Sequence, residues 1–271
     1  MEREKEAARV VDRRFFVNKD FLNLAYEDIP LPIGEEQTIS QPSTVIKMLQ
    51  YLDLRKGQSV LEIGSGSGWN AALISYLIGN KGKVITVERR DSLTKLAKSN
   101  IKGFMKYLKD KDKKLFESFS KIRVIHGNFF SYFKESKNKE SQSQQAVGYS
   151  LSVKNLRILE HTPKQNSLKR IFQNFGCLQL GTNKKNRSEL RGIKPNWSNK
   201  YDRIIFTAGI DYSDKEVVNT VEKIAEKILA NQGIMILPMA LGPLLIYKKI
   251  KGKLIKSKTE EEYRFVLLRS G

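Results

Sequence analysis

Two short blocks near the front of this 271-residue chain bring together residue types that bind and position reactants. VLEIGSGSGWNAAL (60–73) reads as a strand that ends in E-x-G-x-G-x-G. Gly64 and Gly66 permit a tight turn and a close backbone approach to a ligand, and Gly68 lets the following helix pack near the strand. Ser65 stands between the first two glycines, and an acid, Glu62, precedes them. Glu88 follows about 20 residues later at the end of the next apolar run, where a carboxylate can accept hydrogen bonds from both ribose hydroxyls. A glycine loop of this kind suits NAD, FAD or S-adenosyl-L-methionine, or it closes a βα unit with no ligand at all. The other block, LPIGEEQTISQP (31–42), places the hydroxyls of Thr38 and Ser40 and the amide of Gln41 immediately upstream. Read from its residues it is a loop capping a helix, with Ser40 before Pro42 as the start signal.

The elements around these blocks alternate. Pro42 suits the first turn of a helix, and Val45, Met48, Leu49 and Leu52 recur at helical spacing to give one apolar face. SVLEIG (59–64) is a short apolar run ending in glycine, as a buried parallel strand should. A helix is predicted from Trp69 to Leu77, a strand at KVITVE (83–88), a helix from Asp91 to about Leu108, and a strand at KIRVIHG (121–127). This order predicts a doubly wound α/β fold. The pattern stops over 131–200, which is polar and rich in Lys, Ser, Asn and Gln, and SKNKESQSQQ (136–145) approaches low complexity. The segment reads as an insertion with weak local structure, its first stretch disordered. Alternation resumes with a strand at YDRIIFTAG (201–209), a helix near 214–230, and strands at 234–238, 244–250 and 263–269.

Composition narrows the function classes. Lys and Arg number 49 against 29 Asp and Glu, a formal net charge of +20. Such a field attracts anionic partners, or else it reflects lysine spread over solvated faces. About half of the excess charge lies in 131–200, which points to weak nucleic-acid contact there. The chain shows no apolar run long enough for a transmembrane helix and no apolar core segment of a secretory signal at its start, so no membrane partner is expected. Cys177 is the sole cysteine, which fits a reducing, cytoplasmic setting. Two histidines, His126 and His161, distant from Cys177 in sequence, offer little for a metal site, and none is expected. His126 reads as a strand-end packing residue, and Trp69 as packing beside a ligand or in the core.

The spacing EIGSGSG resembles the glycine turn of class I S-adenosylmethionine-dependent methyltransferases, whose cofactor carries no pyrophosphate. More specifically, FFVNKDFLNLAYEDIPLPIGEEQTISQP (15–42) resembles the front segment of the protein-L-isoaspartate (D-aspartate) O-methyltransferase family, with AYED (25–28) and QTISQP (37–42) the most distinctive strings. The resemblance runs from about Val11 to Phe129 and again from Tyr201 onward. It implies a Rossmann-like methyltransferase domain over 1–271 with 131–200 as a basic insertion, and a monomer is expected. The implied substrate is the carboxylate of L-isoaspartyl or D-aspartyl residues in damaged proteins or peptides, methylated to begin repair through a succinimide.

The resemblance also assigns residues. Ser40 and Thr38 would stand near the transferred methyl, with Gln41, Thr207 and Val266 against the substrate. Glu62, Gly64, Ser65, Gly66, Gly68, Glu88 and Asn128 would hold the cofactor. The family usually has an acid where Asn128 stands, accepting from the adenine amino group, and the Asn carbonyl oxygen can accept in its place. The family also has an additional front helix, whereas this chain is expected to join the fold directly at about Arg9, and Leu267-Leu268 replaces a proline-leucine. No catalytic His, Cys or Lys constellation is needed, because a carboxylate nucleophile is already ionised at neutral pH. Two other readings share the same cofactor site: a nucleic-acid (RNA) methyltransferase, and an inactive cofactor-binding homologue.

Overall fold

The sheet strands are short runs of Val, Ile and Leu that bury both faces, and their alternation sorts the side chains into two cores. In a computed structural model that describes residues 2–131, 200–211 and 213–268, Val60, Val84, Ile205, Ile234 and Ile236 enter one apolar cluster. Their neighbours Leu61, Ile85, Ile204, Phe206, Met235 and Leu237 enter the other. This is the period-2 geometry of a sheet covered on both sides.

Along the chain, helix α1 (Glu2–Val10) leads through short 3-10 turns to a small hairpin, β1 (Leu31–Gly34) and β2 (Gln37–Ile39). Then come α2 (Pro42–Leu52), β3 (Ser59–Ile63), α3 (Trp69–Ile78), β4 (Lys83–Glu88), α4 (Asp91–Leu108), α5 (Lys113–Phe119) and β5 (Ile122–His126). After 131–200 the elements are β6 (Tyr201–Phe206), α6 (Lys215–Ile228), β7 (Leu229–Pro238), β8 (Leu241–Gly242), β9 (Leu244–Ile250), β10 (Lys253–Lys258) and β11 (Tyr263–Arg264).

Seven strands form the main sheet in the order β10-β9-β7-β6-β3-β4-β5. The pairs from β7 through β5 are parallel, and β7–β9 and β9–β10 are antiparallel. The chain runs outward from β3 through β4 to β5, then returns to lay β6 on the other side of β3. The strand order therefore reverses between β3 and β6, and ligands of open α/β sheets bind in the crevice at the carboxyl ends of such a pair.

Two buried arginines join elements that share no strand pairing. Arg203 on β6 donates to the carbonyl oxygens of Leu52 (2.6 Å) and Asp53 (2.8 Å), satisfying the carboxyl end of α2. Arg13 donates to main-chain carbonyls of the segment that precedes α2, Ser40 among them, as described below.

Three expectations need correction. The chain does not join the fold at Arg9: Glu2–Val10 is helical, with Ala7 fully buried and the Tyr76 hydroxyl donating to Glu6 at 3.1 Å. Few residues of 2–10 are apolar, so no helical face was visible in the sequence. The run 263–269 is not one strand. Tyr263–Arg264 pairs with β8, while Leu267 bridges Gly209 in parallel. Finally, the expected list of elements is incomplete: α5, β8, β10 and the β1–β2 hairpin are additional to it. The insertion read at 131–200 lies, apart from its end residues Ser131 and Lys200, outside the described residues. No helix among the described residues is long and apolar enough to cross a membrane.

Candidate active site

At the carboxyl ends of β3 and β6 lies a cleft of about 1090 Å³, its open mouth included, in the crevice where open α/β sheets bind ligands. Its floor is the glycine turn. Gly64, Gly66 and Gly68 have φ values of +98°, +50° and +88°, left-handed conformations that L side chains avoid. The first is also crowded, since a Cβ on Gly64 would lie 2.3 Å from the Thr207 hydroxyl. That hydroxyl reaches the carbonyl oxygens of Gly64 (2.6 Å) and Ile63 (3.1 Å), so β6 clamps the end of β3. The Ser65 and Thr86 hydroxyls lie 2.7 Å apart and tie the turn to β4.

Glu88 ends β4 with its carboxylate on the cleft and only 6% exposed. One oxygen accepts from the Gly66 amide (3.2 Å) and the other from the Arg90 amide (3.0 Å). Each oxygen keeps lone-pair capacity for a second donor, which is what a vicinal diol requires. Asn128 also lines the cleft, and its side-chain oxygen accepts from the Phe130 amide at 2.9 Å. Phe129, Phe130 and Leu93 add apolar surface nearby. A glycine cradle whose first glycine has φ +98° and is crowded by Thr207, a carboxylate with acceptor capacity to spare and apolar residues beside it fit an adenosine-bearing cofactor such as S-adenosyl-L-methionine.

The opposite wall is the front segment. Thr38, Ile39 and Ser40 line the cleft with Val45 and Met48 of α2. Thr207, Ala208 and the chain at 266–268 close the remaining side. The hairpin tip bends over the glycine turn, with the Ile33 Cδ1 3.4 Å from the position a Gly66 Cβ would take. Glu35 at the tip has φ +53°. It accepts from the Ser92 hydroxyl (2.7 Å), pairs with Arg90 at 3.6 Å, and also receives Arg90 on its main-chain carbonyl.

Of the expected site residues, Ser40, Thr38, Thr207, Val266, Gly64, Ser65, Gly66, Glu88 and Asn128 converge on this cleft. Three do not. Glu62 is wholly buried beneath the turn, where one oxygen accepts from Asn70 at 2.8 Å. Burial pushes its carboxyl up to about 7, against the pull of the Thr86 hydroxyl and Asn70 amide. Asn70, not Glu62, reaches the cleft. Gly68 serves packing, with α4 so close that a Cβ would lie 3.1 Å from Ile101 and 3.2 Å from the Ala97 carbonyl oxygen. Gln41 is turned to Asp28, to which it donates at 2.9 Å. Trp69 proves to be both core and wall: it is 2% exposed, lines the cleft, and donates to the Val11 carbonyl at 3.1 Å.

Sequence reasoning missed Arg13 and Asp28. Arg13 is 2% exposed and donates to four main-chain carbonyls, those of Ala25, Glu27, Ile29 and Ser40, at 3.0–3.3 Å. Burial pulls its guanidinium down to about 10, partly offset by Asp28. Asp28 accepts from the Ser43 amide at 2.8 Å, capping α2 from outside. Gln41 occupies the N-cap position and supplies no side-chain cap itself. Among the described residues no cluster of His, Cys, Asp and Glu suited to a metal ion occurs.

Comparison with known proteins agrees with this geometry. The family model described as protein-L-isoaspartate (D-aspartate) O-methyltransferase matches residues 2–119. A protein-L-isoaspartate O-methyltransferase of Thermosipho melanesiensis is 40% identical over 146 residues, 52% of this chain and 74% of that protein. A Fervidobacterium nodosum relative of the same name is 50% identical over 96 residues, 35% of this chain and 48% of its own length. The chain thus spans three quarters of the first relative and about half of the second. Among solved structures, a Plasmodium falciparum chain assigned to the same activity, in complex with S-adenosyl-L-homocysteine, superposes with a TM-score of 0.61 at 19% identity, covering 100% of this chain and 92% of that one. At that identity the superposition speaks to the fold, a class I methyltransferase.

Proposed function

The chain belongs to the protein-L-isoaspartate (D-aspartate) O-methyltransferase family, and from that membership we propose that it methylates the carboxylate of L-isoaspartyl and D-aspartyl residues in damaged proteins. The adjacent main-chain amide nitrogen then attacks the ester carbonyl, methanol carries off the methoxy group and the amide proton, and water reopens the resulting succinimide partly as normal aspartate. The observation that carries the reading is the meeting of the Thr38–Ser40 wall and the glycine turn across one cleft.

S-adenosyl-L-methionine, when bound, supplies an electrophilic methyl. The backbone at Gly64, Ser65 and Gly66 would lie against it, Glu88 would take the ribose hydroxyls, and Asn128 would take the adenine amino group. The remaining task of the protein is placement. The substrate carboxylate is ionised at neutral pH, so no base has to remove a proton. The Ser40 and Thr38 hydroxyls orient the carboxylate by donating to it, while Thr207 and Val266 frame the substrate from the far side. The apolar residues Ile39, Val45 and Met48 exclude water around the nucleophile. Orientation of this kind is worth roughly 7 kcal/mol or more when reactants are held in line. The lone cysteine supports action in the cytoplasm, a cleft lined by residues of one chain supports a monomer, and the charge of 131–200 supports weak nucleic-acid contact.

The test is transfer of labelled methyl to an isoaspartyl peptide against its normal-aspartyl twin. Label in the first alone is expected. Label in neither, with cofactor binding intact, would sink the proposal and favour an inactive homologue. Label in tRNA or rRNA instead would favour a nucleic-acid methyltransferase.

A further inference from the structure

The two walls of the cleft belong to parts of the chain that share no strand pairing, so something other than backbone ladders must set the distance between them. Arg13 lies between the two. Its Nη1 donates to the carbonyl oxygens of Ala25 and Glu27, and its Nη2 donates to those of Ile29 and Ser40. The face of the same guanidinium lies 5.2 Å from the centre of the Trp69 ring, which lines the cleft at the start of α3. From the solvent side, Asp28 accepts from the Gln41 side chain and the Ser43 amide, the residues that flank Ser40 and Pro42. The loop 25–29 is thereby bolted from inside and outside to the segment that carries Ser40.

Burying a charge carries a desolvation penalty that its hydrogen bonds must first offset, so stability alone is weak ground for a guanidinium at this position. What a guanidinium adds is direction: a planar fork fixes several acceptors relative to one another, which a lysine ammonium cannot do. We propose that Arg13, assisted by Asp28, is a positioning residue that registers the Ser40 wall against the Trp69 wall of the cleft. The inference rests on the methyl-transfer reading of the site and extends it to two residues remote from the reacting atoms.

The experiment uses the full chain with Arg13→Lys, Asp28→Ala and the double variant, in steady-state transfer to an isoaspartyl peptide. Misplacement of a reacting group by about 1 Å can cost on the order of 100-fold. Arg13→Lys should therefore lower kcat by at least about 10-fold, and Asp28→Ala by several-fold. Peptide KM and S-adenosyl-L-homocysteine affinity should stay within about threefold, because these residues touch neither ligand. Both act on one segment, so the double variant should lose less than the product of the single losses. With Trp197, the other of the chain's two tryptophans, replaced by Phe, Trp69 emission should change in Arg13→Lys and not in Asp28→Ala.

Unchanged kcat in both single variants, or losses that multiply as independent effects, would overturn the proposal. Should Arg13→Lys fail to fold, the exposed Asp28→Ala substitution carries the kcat-against-KM test by itself. Should the wild type methylate no peptide, the functional reading is lost and the clamp is judged separately by amide exchange at Ser43. Faster exchange in both variants would uphold the clamp, and exchange unaltered in Arg13→Lys would refute it.

Discussion

The glycine-turn wall and the front wall of the cleft face each other but are held by different means. The glycine-turn wall is an extension of the sheet. The Gly64 amide donates to the Val87 carbonyl at 2.8 Å and the Thr207 amide to the Ile63 carbonyl at 3.0 Å, continuing the β3–β4 and β3–β6 ladders past the strand ends. The front wall has only a two-stranded hairpin of its own. Elsewhere its carbonyls and amides are satisfied by side chains from a distance, chiefly Arg13, Asp28 and Arg90. A wall made of ladder bonds should be intolerant of backbone change and indifferent to most surface charges. A wall made of side-chain bolts should show the reverse.

The largest expected effect is on the ladder wall. Gly64→Ala forces a Cβ to 2.3 Å from the Thr207 hydroxyl at φ +98°, and strained φ/ψ alone costs about 1–3 kcal/mol. S-adenosyl-L-homocysteine affinity measured by titration calorimetry should fall on the order of 100-fold. Near-normal binding would mean that this wall yields far more easily than its bonding suggests.

Next is Glu62 beneath the same wall. Its folded-state pKa is raised to about 7 from an ordinary 4.5 by burial. Between those values the folded state binds more protons than the unfolded, so this group's contribution makes stability fall as pH rises through that window. The penalty above pH 7 is roughly 3 kcal/mol. Urea unfolding should therefore show Glu62→Gln gaining on the wild type between pH 5 and pH 8. A constant difference across that range would refute the assignment.

Thr207→Val is expected to act more mildly. It removes the hydroxyl bond to Gly64 while keeping the shape, at a cost of about 1 kcal/mol, visible as a several-fold loss in S-adenosyl-L-homocysteine affinity. The smallest effect belongs to the strap over the cleft. Glu35→Gln weakens an exposed ion pair with Arg90 worth about 0.5 kcal/mol. It should speed S-adenosyl-L-homocysteine release by no more than about twofold in stopped flow, with the difference from wild type vanishing in high salt.

The two walls also differ in how well they could be read beforehand. The glycine turn, its flanking strands and Glu88 follow from local rules: apolar runs of strand length, glycine where φ must be positive, an acid at the next strand end. The front wall was recognised through the AYED and QTISQP strings, by resemblance rather than by periodicity. The clamp that holds it was not recognised, because Arg13 and Arg14 are adjacent residues of one type. Arg14 pairs on the surface with Asp12 at 2.7 Å, while its neighbour is buried among carbonyls. Nothing local to VDRRFF distinguishes them.

The sequence by itself determined the α/β alternation and the glycine turn, since these depend on backbone conformation and side-chain period within a few residues, while the QTISQP residues that face the turn were legible only through resemblance to a family. Only the tertiary structure decided which acid faces the cleft. Glu62 and Glu88 both stand near the ends of adjacent strands, yet one is sealed under Asn70 and the other borders the cavity. It likewise decided which arginine is enclosed and that Gln41 turns away to Asp28. The reason is that burial and long-range hydrogen bonds are set by which distant segments pack together, and a carbonyl acceptor leaves no mark on its own residue type.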